Sequence, residues 1–111
     1  MIAIVDDDPS IRRSLHRLVQ TAGYAAQTFG SAREYLEWLP RGQAACLVLD
    51  VHMDGMSGLE LHQRLAVPVL FITGHDDAVT RASVEKSGAG YLWKPFEEQA
   101  VLEAIRHATA R

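Results

Sequence analysis

The sequence predicts an α/β fold built on a parallel sheet with helices on both faces. Along the 111 residues, apolar runs of strand length alternate five times with segments of helical period, and this alternation is typical of βαβ units. Residues 45–49 are apolar throughout, as expected for a central strand that is covered on both faces. With 48% hydrophobic residues, the chain has the size and composition of one domain with its own core.

The first strand and helix are delimited by polar residues and a glycine. Residues 2–5 form the strand, Asp8 is placed to cap the next helix, and Pro9 suits its first position. Gly23 ends that helix. Its buried stripe consists of Ile11, Leu15, Leu18 and Val19.

The second helix begins at a predicted capping box, in which Ser31 is followed three residues later by Glu34. Pro40 and Gly42 stop this helix, and Pro68 and Gly88 mark later breaks. The other predicted elements are strands at residues 24–29, 45–49, 69–73 and 91–93, and helices at residues 59–65, at 77–87 and from Glu97 onward.

Composition excludes several classes of protein. The net charge of -3 argues against direct binding of nucleic acid by this segment, because such surfaces are usually basic. Cys46 is the only cysteine, so no disulfide can form within the chain. The first residues lack the basic start of a signal peptide, and no apolar stretch is long enough to cross a bilayer. We therefore expect a cytoplasmic protein without membrane contact.

Polar side chains follow four of the predicted strands. Asp6 and Asp7 follow the first, Asp50 the third, Thr73 ends the fourth, and Lys94 follows the fifth. The carboxyl ends of parallel strands meet at one crevice, where such folds bind ligands. Three carboxylates together call for a cation, and hard oxygen ligands favour Mg²⁺, with Mn²⁺ as a substitute. The ammonium and the hydroxyl suit a phosphoryl group.

Asp50 is the best candidate nucleophile, because it ends the most buried strand and its position is fixed by the core. Attack on phosphorus would give an acyl phosphate, and the transfer depends mainly on positioning and charge neutralisation. Lys94 would pair with the phosphoryl oxygens, and Thr73 would donate a hydrogen bond to one of them. Pro95 fixes the chain after Lys94, and a cis bond between the two is allowed.

These residues stand in segments that resemble the receiver domain of two-component response regulators. The segments are VDDD at 5–8, LVLDVHMDGMSGLEL at 47–61, ITG at 72–74 and GAGYLWKPF at 88–96. ITGHDD and TFGSAREYL resemble in particular the FixJ-like branch, whose receivers are joined to a DNA-binding output domain. The resemblance covers nearly the whole chain, so we expect one receiver domain at residues 1–111. Because the chain stops directly after its last helix, we expect a domain excised from a longer regulator.

The resemblance implies a flavodoxin-like (βα)5 fold with strand order 2-1-3-4-5. It also implies a phosphorylation-dependent switch that takes its phosphoryl group from a sensor histidine kinase. Phosphorylation would then change the surface of helix 4, strand 5 and helix 5, which controls dimerisation or an output domain, expected to be transcriptional. Such a domain phosphorylates and slowly dephosphorylates itself and is not a metabolic enzyme. The implied roles are phosphoacceptor for Asp50, metal-binding acidic pair for Asp6 and Asp7, switch hydroxyl for Thr73, phosphoryl-binding lysine for Lys94, switch aromatic for Tyr91, and metal ligand for the backbone carbonyl of His52.

The chain departs from the family pattern in three places. The loop reads MDGMSG where the family commonly has a proline after the methionine, so Asp54 adds a charge and Gly55 adds backbone freedom near the site. Between Leu59 and Pro68 the chain is shorter than is usual in the family by about one helical turn, which bears on the third helix itself. His52 and His75 flank the phosphorylation site, and we predict that they tune the lifetime of the phosphoryl group.

Two other functions use similar residues. A phosphohydrolase of the haloacid-dehalogenase type also has an aspartate after an apolar strand, but its acidic pair comes last and a second aspartate stands where this chain has His52. A pseudo-receiver that only docks partners would need no phosphorylation, yet every expected site residue is present. We expect Trp93 to share the strand face of Tyr91, and His16, His62 and His107 to lie on solvated helix faces.

Overall fold

The fold is a five-stranded parallel sheet in the order β2-β1-β3-β4-β5, which confirms the predicted order. The structure is a computed structural model and describes residues 1–74 and 77–110. His75, predicted to tune phosphoryl lifetime, lies outside the described residues. The strands are β1 (Ile2–Val5), β2 (Ala26–Phe29), β3 (Cys46–Asp50), β4 (Val69–Thr73) and β5 (Gly90–Trp93).

Helices cover both faces of the sheet, as predicted. They are α1 (Pro9–Thr21), α2 (Ala32–Trp38), α3 (Gly58–Gln63), α4 (Ala78–Ser87) and α5 (Glu98–Thr109). Leu15 of α1 and Val101 of α5 belong to one buried cluster, whereas Tyr35 of α2, Leu61 of α3 and Val84 of α4 belong to the other. The sheet therefore separates two apolar cores.

Strand residues alternate between these cores. Ile2 and Ile4 pack with α1 and α5, and Ala3 and Val5 pack on the opposite side, because successive side chains of a strand point to opposite faces. All five residues of β3 are buried. The packing of the core thus fixes the orientation of each strand and, with it, the position of the residue at its carboxyl end.

The predicted capping box at α2 forms only in half. The hydroxyl of Ser31 accepts the Glu34 N–H at 3.1 Å, but the Glu34 carboxylate accepts the N–H of Gly30 instead of that of Ser31. A complete capping box begins α3, where Ser57 and Glu60 bond to each other's backbone N–H. The sequence has the same S-x-x-E pattern there, and we did not predict it.

Two predicted boundaries were wrong by a few residues. β2 begins at Ala26, since the Tyr24 N–H is used at the end of α1, where it donates to the Val19 carbonyl at 3.2 Å. The third helix ends at Gln63, and the Arg64 N–H caps it by donating to the Leu61 carbonyl at 3.0 Å. Within the described ranges, no helix is long and apolar enough to span a membrane.

Candidate functional site

The side chain of Lys94, which follows β5, reaches the ends of β1 and β3, neither of which is a neighbour of β5 in the sheet. Its Nζ lies 3.1 Å from Oδ2 of Asp6, which follows β1, and 3.4 Å from Oδ2 of Asp50, which ends β3. The peptide bond from Lys94 to Pro95 is cis, and the Lys94 N–H donates to the Thr73 carbonyl at 2.7 Å. One ammonium therefore bridges two carboxylates across the carboxyl edge of the sheet.

Three carboxylates form an acidic cluster at this edge. One oxygen each from Asp6, Asp7 and Asp50 lies within 4.8 Å of the others. Asp6 and Asp50 are 1% and 6% exposed, whereas Asp7 faces solvent. The three carboxylates outnumber the one ammonium that contacts two of them, so a divalent cation would offset their mutual repulsion. Carboxylate oxygens without a sulfur ligand suit Mg²⁺ or Mn²⁺, and the residues present fit such an ion.

Burial raises the pKa of Asp50 to about 6, and the nearby charge of Asp6 adds to this rise, while the charge of Lys94 opposes it. Burial by itself lowers the pKa of Lys94. The negative charge of Asp50 and the hydrogen bond to Asp6 outweigh that effect, so the pKa of Lys94 is raised above its usual value. At neutral pH the site thus holds an ammonium next to a carboxylate that is close to its titration range.

The turn between β1 and α1 holds the acidic pair in place. Oδ1 of Asp6 accepts the Asp8 N–H at 2.9 Å, and Asp8 caps α1 by accepting the Ser10 N–H at 2.8 Å, as predicted. Arg12 in the first turn of α1 donates from Nη1 to the Asp6 carbonyl at 2.7 Å. In the sequence, Arg12 is recognisable only as a basic residue one helical turn after the capping residue. We therefore did not predict this role.

The loop after β3 lies close to Asp50. The His52 N–H donates to Oδ1 of Asp50 at 3.4 Å, and the Gly58 N–H donates to the Val51 carbonyl at 2.9 Å. A Cβ atom on Gly58 would collide with the carbonyl oxygen of Asp50. Glycine at the start of α3 therefore allows the helix to approach the end of β3. In the same loop, Met53 packs against the hydrophobic core.

The imidazole of His52 is bonded to α4. Its Nε2 lies 2.9 Å from Oγ1 of Thr80, and the same hydroxyl donates to Oδ2 of Asp77 at 3.2 Å. No local sequence pattern links positions 52 and 80, and this contact was not predicted. Whether the His52 carbonyl binds a metal stays a prediction.

The structure does not bring the hydroxyl of Tyr91 into the acidic cluster. That hydroxyl donates to Oε1 of Glu85 in α4 at 3.3 Å. The Tyr91 ring packs edge-on against Trp93 at 5.8 Å between centroids, which confirms their shared strand face, and the Arg81 guanidinium lies 4.9 Å above the Trp93 ring. Thr73 is fully buried at the end of β4.

The expectation for the helical histidines holds only in part. His107 is exposed and His16 is half-buried. His62 is also half-buried, and its ring contacts Phe71 with centroids 5.5 Å apart. The prediction of a solvated face was wrong for His62 because α3 lies against β4 at this point.

Residues 2–106 match the profile of the response regulator receiver domain. The chain belongs to this family. It is 42% identical to nodulation protein W of Bradyrhizobium diazoefficiens over 100% of the chain and 52% of that relative. It is 36% identical to the transcriptional regulatory protein FixJ of the same organism over 96% of the chain and 55% of that relative, which confirms the predicted likeness to FixJ.

The fold of this receiver domain is also found in solved structures. A response regulator receiver protein from Burkholderia phymatum superposes with a TM-score of 0.88 at 40% identity, over 98% of this chain and 94% of that one. The chain spans about half the length of the two relatives named above. The activities of those whole proteins therefore bear on this chain only as proposals.

Proposed function

We propose that this receiver domain accepts a phosphoryl group from a sensor histidine kinase onto Asp50 in a reaction that requires Mg²⁺. The observation that carries the proposal is the placement of the Lys94 ammonium between the carboxylates of Asp6 and Asp50, with Asp7 close enough to share a cation. A nucleophile, a cation for the phosphoryl oxygens and an acidic metal site thus meet at one edge of the sheet.

In the proposed transfer, one carboxylate oxygen of Asp50 attacks phosphorus. The bond between phosphorus and the kinase histidine nitrogen breaks, and its electron pair stays on that nitrogen. Lys94 neutralises the oxygens of the incoming group. When bound by Asp6, Asp7, Asp50 and the His52 carbonyl, Mg²⁺ supplies further neutralisation of charge. His52 and His75 stay predicted to tune the lifetime of the acyl phosphate.

The response to phosphorylation is proposed to begin at Thr73. Its hydroxyl would be drawn to the phosphoryl oxygens, and Tyr91 would then leave Glu85 and turn inward. This change would alter the surface of α4, β5 and α5, which we propose as the site of dimerisation or of contact with an output domain. The relatives include named transcriptional regulators, so the output is proposed to be transcriptional, in the cytoplasm and without direct nucleic-acid binding by this segment.

The intact mass of the protein after incubation with acetyl phosphate or phosphoramidate tests the proposal. We expect one added phosphoryl group that requires Mg²⁺ and is absent in Asp50→Ala. No adduct in the parent chain, together with no binding of beryllium fluoride, would contradict the proposal and support a docking module. Repeated turnover of small phosphate esters would instead support a phosphohydrolase.

A further inference from the structure

The loop that joins β3 to α3 carries two main-chain groups of His52 that bear on the proposed metal and phosphoryl site. The amide donates to Oδ1 of Asp50 at 3.4 Å, and the carbonyl is the proposed metal ligand. The loop also contains Gly55 at a φ of 80°, and His52 itself is exposed. Exposed loops with glycine are mobile unless contacts hold them. The position of His52 therefore depends on what its side chain contacts.

Thr80 of α4 provides that contact. Its Oγ1 lies 2.9 Å from Nε2 of His52, and Thr80 is only 4% exposed. The Thr80 hydroxyl donates to Oδ2 of Asp77 at 3.2 Å. Because an ionised carboxylate only accepts hydrogen bonds, the proton of Thr80 is used there, and its oxygen accepts from the Nε2–H of His52. The direction of both bonds is thus fixed.

Asp77 in turn is held by the start of α4. It is the N-cap residue of this helix, and its Oδ1 accepts the Thr80 N–H at 2.8 Å. Thr80 is therefore held in place by its helix, by its burial and by hydrogen bonds to both carboxylate oxygens of Asp77. It provides a rigid anchor on α4 for a side chain that belongs to the loop after β3.

We propose that Thr80 is a positioning residue for the metal and phosphoryl site. Through the imidazole it fixes the main chain of His52, so that the amide and the carbonyl are held in place before an ion binds. Without this anchor, ion binding would have to order the loop, and the affinity would fall by the cost of that ordering. The proposal rests on the proposed function of the acidic cluster.

Titration with Mn²⁺, with the free ion measured by electron paramagnetic resonance, tests the proposal without phosphorylation. Thr80→Val removes the hydroxyl at nearly constant volume, and loss of one hydrogen bond predicts a Kd about three- to tenfold higher. Thr80→Ser keeps the hydroxyl and should bind like the parent. Thr21→Val is a matched control, because within residues 1–74 and 77–110 the hydroxyl of Thr21 bonds to the Arg17 carbonyl at the far end of α1.

A double-mutant cycle with His52→Ala separates positioning from a general effect on α4. If Thr80 acts through His52, then Thr80→Val changes the Kd in the parent but not in the His52→Ala protein. An equal effect in both backgrounds, or an unchanged Kd for Thr80→Val, would overturn the proposal. If the parent does not bind Mn²⁺, or binds it equally well after Asp7→Asn, the proposed metal site fails and this inference fails with it.

Discussion

The ammonium of Lys94 lies 3.1 Å from Oδ2 of Asp6, although β3 and β4 separate their strands in the sheet. The long lysine side chain crosses the ends of both intervening strands and also meets Asp50. A cation at this place stabilises two carboxylates that would otherwise repel each other. The same contact makes Lys94 the residue best placed to neutralise a group transferred to Asp50.

Lys94→Met should therefore lower the rate of phosphorylation by acetyl phosphate by about 100-fold, as is typical when an electrostatic contact to the reacting group is lost. The Mn²⁺ affinity should be kept or increased, since one positive charge beside the three carboxylates is removed. Intact mass over time and Mn²⁺ titration measure the two effects. Lys86→Met, in the last turn of α4, is the control, and an unchanged rate in Lys94→Met would contradict the assigned role.

Phosphorylation should depend on pH through Asp50. Its pKa is raised to about 6 by burial and by Asp6, and only the carboxylate attacks phosphorus. We expect the rate with phosphoramidate to rise as the pH increases through about 6. A bound cation favours the ionised form, so the midpoint should move lower as Mg²⁺ increases. A midpoint that does not respond to Mg²⁺ would argue against a shared site for the ion and Asp50.

The same pKa predicts the sign of a stability effect. The pKa of Asp50 is higher in the folded state than its ordinary value of 3.8, so this group stabilises the fold at low pH, and the contribution is lost as the pH rises through about 6. Without metal at pH 7, Asp50→Asn should raise the free energy of unfolding by on the order of 2 kcal/mol. The gain should shrink at pH 5. Urea unfolding at both pH values checks this, and an equal gain at both would contradict it.

Gly58→Ala should destabilise the domain, because the added methyl group would collide with the Asp50 carbonyl oxygen. Main-chain atoms cannot move aside as a flexible side chain can, and overpacking of this kind costs about 1–3 kcal/mol. Gly90→Ala is a suitable control, since a Cβ there would only make ordinary contact with Leu70 at 3.6 Å. Urea unfolding of both variants measures the difference, and equal stability would show that α3 shifts freely.

Tyr35→Phe should stabilise the protein. The Tyr35 hydroxyl is buried and has no hydrogen-bond partner among residues 1–74 and 77–110, and burial raises the pKa of Tyr35. Removal of an unsatisfied hydroxyl should add about 1 kcal/mol to the free energy of unfolding. Among the described residues, Tyr91→Phe loses an exposed bond to Glu85, and it should have little effect on stability. A loss of stability in Tyr35→Phe would indicate a partner such as buried water.

The sequence predicted the fold and the position of most site residues because both depend on local patterns. Apolar runs mark the strands, and the polar residue after each run must lie at the carboxyl edge of a parallel sheet. This reasoning placed Asp6, Asp50 and Lys94 correctly.

Contacts that depend on how separate elements pack together could not be predicted from local sequence patterns. The pairing of His52 with Thr80 joins residues 28 positions apart and requires knowledge of how α4 lies against the loop after β3. Glu34 and Glu60 stand in identical S-x-x-E patterns, yet only Glu60 bonds to the N–H of its own cap. The structure around each glutamate, and not the S-x-x-E pattern, determines which side-chain conformation it adopts.

The contact between Lys94 and Asp6 joins residues 88 positions apart, so the site cannot exist in a partly folded chain. A chain that has not added β5 to the sheet lacks the ammonium of Lys94 beside the carboxylates of the cluster. Any ion or phosphoryl mimic that needs the complete site binds only the fully folded domain. Such a ligand at 100 times its Kd would raise the free energy of unfolding of the whole domain by about 2.7 kcal/mol, which makes site occupancy a measure of complete folding.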